Sequence, residues 1–161
     1  MQVFIMRHGD AALEAASDSV RPLTLCGCDE SRQMATWLKG QKVNVERVLV
    51  SPFLRAEQTL EKVGECMNLP DSVDVLPELT PGGDVALVGD YLHALASKGV
   101  ASVLVISHLP LVGYLVSELC PEETPPMFLT SAIASVTLDG EGKGTFNWQV
   151  SPCNLKMAKA I

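Results

Sequence analysis

The chain has 161 residues, of which 47% are apolar and 19% charged, with a net charge of −7. That is the profile of one globular domain with a proper core, not of a disordered chain. The acidic balance argues against nucleic acid, which needs a basic face, and no apolar run approaches the roughly 20 residues that span a bilayer.

The elements alternate along the chain. Gln2–Met6 reads as a buried strand. Asp29–Lys39 has helical spacing, with Met34, Trp37 and Leu38 on one side and Gly40 as a stop. Arg47–Val50 is a second short strand, and Phe53–Cys66 a second helix, with Leu54, Leu60, Val63 and Met67 recurring at helical intervals. Val73–Leu76 is a third strand, and Asp84–Ser97 a third helix with Leu87, Val88, Tyr91, Leu92 and Leu95 on its apolar face. Ala101–Ile106 (ASVLVI) is continuously apolar, as a central parallel strand should be. Leu111–Leu119 is a helix ended by Pro121. Ala134–Leu138 and Thr145–Val150, joined by the turn-like DGEGKG, form an antiparallel hairpin.

Repeated strand–helix alternation predicts an α/β fold: a mostly parallel sheet with helices on both faces, completed by the C-terminal antiparallel hairpin, in a single domain over 1–161. The apolar run Val3–Met6 is too short for a signal peptide and is followed by Arg and His, so a cytoplasmic location is expected. Five cysteines, Cys26, Cys28, Cys66, Cys120 and Cys153, form neither a disulfide framework nor a zinc pattern. No heptad run or large apolar stripe points to an obligate assembly, so a monomer is expected.

Parallel sheets bind ligands beyond the carboxyl ends of their strands. After the first strand come Arg7, His8 and Gly9. After the second come Ser51 and Pro52, with Arg55 one turn further. After ASVLVI come Ser107 and His108. Three strand ends thus deliver two histidines and two arginines to one edge, while His93 sits mid-helix. The set has no carboxylate partner, so a Ser-His-Asp triad is not indicated, and adjacent arginines would repel a metal ion. Arginine pairs bidentately with phosphate oxygens, and a neutral imidazole attacks phosphorus through a ring nitrogen. Nearby guanidiniums also disfavour the imidazolium. Gly9, without a Cβ, permits either a close ligand approach or an ordinary strand-ending turn.

These residues carry a resemblance. RHG after the first strand, Ser51-Pro52-Phe53-Leu54-Arg55-Ala56-Glu57-Gln58-Thr59 as SPxxRAxxT, and Ser107-His108 resemble the histidine phosphatase (phosphoglycerate mutase-like) superfamily. Order and spacing fit over nearly the whole chain, and RPLTLCG, Arg21 to Gly27, resembles the family's PLTxxG stretch. The resemblance implies that His8 is the nucleophile that becomes phosphorylated, that Arg7, Arg55 and His108 complete the phosphate pocket, and that Arg21 contacts the substrate phosphate. It implies no metal and no cofactor.

Two departures from the family pattern bear on the substrate. The family's acidic proton donor has Glu78 in LPELTPGG as its nearest counterpart, and the short run from Glu78 to Asp84 leaves the site uncovered. Imidazole leaves phosphorus more readily than an alkoxide, so a strong general acid is less necessary. The implied activity is therefore protein phosphohistidine phosphatase, with histidine-containing phosphotransfer domains of bacterial phosphorelays as the partner. The rivals are a phosphatase or mutase acting on small phosphate esters, a non-catalytic phosphoprotein-binding domain, and thiolate chemistry at the C-x5-R run from Cys26 to Arg32. Asp29 and Glu30 inside that run would repel phosphate and raise a thiol's pKa.

Overall fold

A computed structural model describes residues 1–160, and side-chain surroundings for 1–156. Six strands form one sheet in the order β3-β2-β4-β1-β5-β6. They are β1 (Gln2–Arg7), β2 (Arg47–Val50), β3 (Val73–Val75), β4 (Ser102–Ser107), β5 (Ile133–Leu138) and β6 (Gly144–Val150). The first four are mutually parallel; β5 runs antiparallel to β1, and β6 antiparallel to β5. The helices are α1 (Leu25–Gly40), α2 (Leu54–Cys66), α3 (Val85–Ser97), α4 (Leu111–Leu119) and α5 (Pro152–Ala160).

The two-residue period of β1 divides the core. Val3 and Ile5 face a cluster built with Val88, Leu92 and Leu95 of α3 and Leu115 and Val116 of α4. Phe4 and Met6 face the opposite cluster, with Met34 and Leu38 of α1 and Val63 of α2. Strand β4 contributes to both and is buried along its whole length, which is why its sequence shows no polar alternation. Each fully buried Val, Leu or Ile contributes about 1.5–3 kcal/mol, so the strand ends that carry the histidines are rooted in buried strands.

Most element boundaries shift by one residue from the sequence expectation, and three differences bear on the site or the fold. Helix α1 begins at Leu25 rather than Asp29, because the Thr24 hydroxyl caps it by accepting from the Gly27 amide at 3.0 Å. Strands β1 and β4 run one residue further than expected, through Arg7 and Ser107, so the residues flanking the site belong to the sheet. Helix α5 was not expected; the Ser151 hydroxyl accepts from the Asn154 amide, while the Asn154 side chain accepts from the Ser151 amide at 2.9 Å. No helix among the described residues is long and apolar enough to cross a membrane.

Candidate active site

The sheet register assembles the site. Arg7 pairs with Ser107 across β1 and β4, so His8 and His108 leave adjacent parallel strands side by side, their ring centroids 5.0 Å apart. On the other side of β4, the Ser51 amide donates to the Ile106 carbonyl at 3.1 Å. This places the Ser51 hydroxyl 2.7 Å from His108 Nε2. Helix α2 starts three residues later, and its first turn swings Arg55 inward until Nε lies 3.3 Å from His8 Nε2. Thr59, one turn further, accepts from the Gly9 amide at 2.9 Å and donates to the Arg55 carbonyl at 2.7 Å. The SPxxRAxxT spacing therefore ties α2 to the end of β1 at two points.

The proton on His8 can be placed. Nδ1 lies 2.7 Å from the Gly9 carbonyl, which can only accept. Nδ1 therefore carries the hydrogen, and Nε2 keeps its lone pair, toward which Arg55 Nε–H points. Burial pushes the pKa of His8 down to about 4; the Gly9 hydrogen bond opposes this, and the charges of Arg55, Arg7 and Arg21 reinforce it. His108 is pushed down to about 3, by burial first and then by His8 and Arg55. Both rings are neutral near pH 7.

Among the described residues, two buried side-chain polar atoms lack a partner, Arg7 Nε and His108 Nδ1. Both belong to this cluster. Arg7 is held by one nitrogen only, Nη1 donating to the Phe128 carbonyl at 2.9 Å, which leaves Nε free for an incoming acceptor. Unpaired buried donors cost about 1–3 kcal/mol each, and an anion's oxygens would relieve that cost.

The expectation of no carboxylate at the site is overturned. A strap from Asp10 to Thr24, closed by the Ala11–Leu23 bridge, lays Asp18 against the arginines. Its carbonyl accepts from Arg55 Nη1 at 2.6 Å, and its carboxylate accepts from Arg55 Nη2 at 3.2 Å and from Arg21 Nη1 at 3.0 Å. Asp18 makes no hydrogen bond to either histidine, so the triad reading stays excluded. Nothing in the spacing signals it: Asp18 and Arg55 are 37 residues apart. Arg21 is brought in by the same strap, its Nε donating to the Ala12 carbonyl at 2.7 Å, and its charge reaches His8.

Glu78 lies half-buried in the 3-10 turn Pro77–Leu79. Ser107 fastens that turn to β4 by donating to the Leu79 carbonyl at 2.6 Å. The Glu78 carboxylate makes no hydrogen bond to Arg7, His8, Arg55 or His108. The C-x5-R run does not form an anion loop. It lies within α1; the Cys26 thiol, 3.4 Å from Glu30, is pushed up by that carboxylate, and Arg32 is taken by Glu65 and Asp29. No group of three or more His, Cys, Asp and Glu side chains among the described residues is arranged to hold a metal ion.

Two neutral imidazoles within a ring of guanidiniums, at the carboxyl edge of a parallel sheet, are equipped for phosphoryl transfer through nitrogen. The chain belongs to the histidine phosphatase superfamily: the model of that superfamily's branch 1 matches residues 3–80, and full-length relatives extend the match. Phosphohistidine phosphatase SixA of Escherichia coli (strain K12) is 83% identical over 161 residues, covering 100% of both chains. A SixA homolog of Haemophilus influenzae is 38% identical over 159 residues, covering 94% of this chain and 97% of its own. A structure of the protein histidine phosphatase SixA complexed with tungstate superposes with a TM-score of 0.95 at 82% identity, over 96% of this chain and 99% of that one.

Proposed function

We propose that this chain is a protein phosphohistidine phosphatase that works through a phosphorylated His8. The 83% full-length identity to a phosphohistidine phosphatase gives the activity. The observation that best supports the residue assignment is the pair of unpartnered buried atoms, Arg7 Nε and His108 Nδ1, beside an imidazole whose Nε2 carries no proton.

In the first step, the Nε2 lone pair of His8 forms a bond to phosphorus while the P–N bond to the substrate imidazole breaks. If the other nitrogen of that ring already carries a proton, the ring departs as neutral imidazole and needs no acid at the breaking bond. This accounts for a site to which Glu78 makes no hydrogen bond. Arg7, Arg55 and His108 hold the phosphoryl oxygens, with Arg21 at the outer edge; the charge on those oxygens is met by groups already in place.

The second step uses the Gly9 carbonyl. It keeps a proton on Nδ1, so phosphorylation at Nε2 gives a cationic ring, itself a ready leaving group. Water then attacks phosphorus, phosphate departs with the new P–O bond, and the lone pair returns to Nε2.

The partner that fits is a histidine-containing phosphotransfer domain, and the setting a monomeric single-domain protein of the cytoplasm. Between β3 and α3 there is only one 3-10 turn and its flanks, with no inserted segment, which suits a phosphate presented on another protein. The test is to incubate the protein separately with a phosphorylated phosphotransfer domain, a phosphotyrosine peptide and 3-phosphoglycerate. The first should lose its label, with a transient acid-labile phosphate on His8 that disappears in His8→Ala and persists in Cys26→Ala. Efficient turnover of 3-phosphoglycerate instead would overturn the substrate, and labelling that survives His8→Ala would overturn the nucleophile.

A further inference from the structure

Eight large apolar side chains are exposed among the described residues, and five of them lie on two segments that frame the phosphate pocket. Leu13, Val20 and Leu25 belong to the strap and its exit into α1; Met127 and Leu129 belong to the loop between α4 and β5. Leu13 is 91% exposed, Leu25 85% and Met127 75%, more than a soluble protein gains from leaving such side chains in water.

Their backbone placement connects them to the chemistry. Leu13 shares an open cavity with Arg21 and with Asp18, which holds Arg55. Val20 lies in the same 3-10 turn as Asp18. Leu25 follows Thr24, whose amide donates to the Asp10 carbonyl at 3.0 Å, two residues from His8. Met127 and Leu129 flank Phe128, the residue whose carbonyl holds Arg7, and the Ser131 amide donates to the His8 carbonyl at 3.1 Å. Two apolar ledges are thus tied directly to the residues that hold Arg7, His8 and Arg55.

We infer that these ledges are the docking surface for the phosphohistidine-bearing protein, gripping apolar side chains around its phosphorylated residue while the pocket takes the phosphoryl group. This rests on the proposed activity and extends it to how the substrate is chosen. The occupant follows from continuity with the pocket: the strap carries Asp18, which holds Arg55, and the loop between α4 and β5 carries Phe128, whose carbonyl holds Arg7, so a protein presenting its phosphate to these arginines lies against both apolar segments. A small phosphorylated metabolite has no apolar surface to lay on them. A folded partner has, and each side chain covered removes apolar area from water at about 25 cal/mol per Å².

The decisive comparison uses two substrates on one variant. Leu13→Ser, Leu25→Ser and Met127→Ser are combined, all at exposed positions where the fold gains little from the apolar side chain. Kinetics are measured with a phosphorylated phosphotransfer domain and with phosphoimidazole, which carries the same P–N bond without a protein. The expected result is a KM for the phosphoprotein raised tenfold or more, with kcat/KM for phosphoimidazole unchanged. A phosphoprotein KM within twofold of the starting value overturns the inference, as does an equal loss on both substrates. So does a dimer of the unsubstituted protein that the variant abolishes, since the ledges would then serve a second copy. Should the unsubstituted protein hydrolyse phosphoimidazole but no phosphoprotein, the docking surface falls and the His8 chemistry stands; should it hydrolyse neither, the underlying reading falls first.

Discussion

Asp18 grips Arg55 twice, through its carbonyl at 2.6 Å from Nη1 and its carboxylate at 3.2 Å from Nη2. This two-point hold turns the third edge of the guanidinium, Nε–H, toward His8 Nε2 at 3.3 Å. The buried cation that steadies the reactive nitrogen is itself steadied by an exposed acidic residue on a strap.

Asp18→Asn keeps the size and the carbonyl contact but removes the charge shared by Arg55 and Arg21. Asp18 is 58% exposed, so water already screens much of its pull. We expect kcat to fall by only about three- to tenfold. Binding of tungstate or inorganic phosphate should be as tight or tighter, because a negative charge leaves the rim of an anion site. Titration calorimetry alongside steady-state kinetics separates the two effects; anion affinity falling in step with kcat would show that Asp18 builds the pocket rather than aligning Arg55.

The depressed histidines set the acid behaviour. His8 is required neutral, and burial carries its pKa down to about 4. The acid limb of kcat/KM on phosphoimidazole, corrected for uncatalysed hydrolysis, should therefore fall near pH 4 and not near 6.5. Folding stability moves differently. The unfolded chain's imidazoles bind protons near pH 6.5, while His8 and His108 in the folded protein do so only at about 4 and about 3. Stability is full above 6.5 and declines as pH drops from 6.5 toward 3, since the unfolded state holds more protons throughout that window. Denaturant melts at pH 7, 5.5 and 4.5 should show this decline, and it should be smaller in His108→Phe, which has one fewer depressed imidazole.

The parts of the site legible in the sequence are those that follow from strands. A strand buried on both faces must be continuously apolar, so β1, β2 and β4 announce themselves, and the polar residues that interrupt them, Arg7, His8, Ser51, Ser107 and His108, mark the carboxyl edge. Arg55 follows because the first turn of the next helix points back over that edge. The strap was not legible. Asp18 meets Arg55 only through the three-dimensional path of an irregular segment, which no local spacing encodes. The first turn of α1 was missed because Cys26-Gly27-Cys28 has weak helix propensity and its start is decided by the Thr24 cap. The sequence allows two readings of Gly9, and the structure adds a third: a Cβ there would lie 2.8 Å from both the Gly27 carbonyl and the Ser31 hydroxyl. Its bareness lets β1's exit lie against α1.

Ser51 holds His108 by a 2.7 Å hydrogen bond to Nε2, and its hydroxyl also accepts from the Phe53 amide at 3.2 Å. One partner, Phe53, sits at the start of α2 and the other, His108, leaves β4, so the serine fixes the ring and the helix start together. Ser51→Ala leaves Nε2 unpaired in a buried ring that already has one unpartnered nitrogen. We expect about 1–3 kcal/mol of lost stability and a fall in kcat as His108 loses its orientation. Ser51→Thr, which keeps the hydroxyl, should recover kcat further than it recovers stability, because the extra methyl enters a fully buried position. Equal kcat in Ser51→Ala and the unsubstituted protein would remove His108 orientation from the mechanism.

Gly27 gives the strap its seat on α1. A Cβ at this position would run into the Asp10 carbonyl and sit 2.9 Å from the Asp10 amide. Asp10 is only two residues from His8, and its carbonyl receives the Thr24 amide at 3.0 Å while its carboxylate accepts from the Thr24 hydroxyl at 2.8 Å. Gly27→Ala cannot be accommodated by a side-chain rotation, because the obstructing atoms are backbone; either α1 or the strap must move. Overpacking of this kind costs about 1–3 kcal/mol, partly offset by alanine's better helix propensity of about 1 kcal/mol. The net loss in a denaturant melt should therefore be modest, whereas the displaced strap should carry Asp18 and Arg21 off the guanidinium cluster. The expected signature is a fall in kcat/KM larger than the stability change alone accounts for, measured where the variant is fully folded. Unchanged kinetics in a folded Gly27→Ala protein would mean that the strap's position is not transmitted to Arg55.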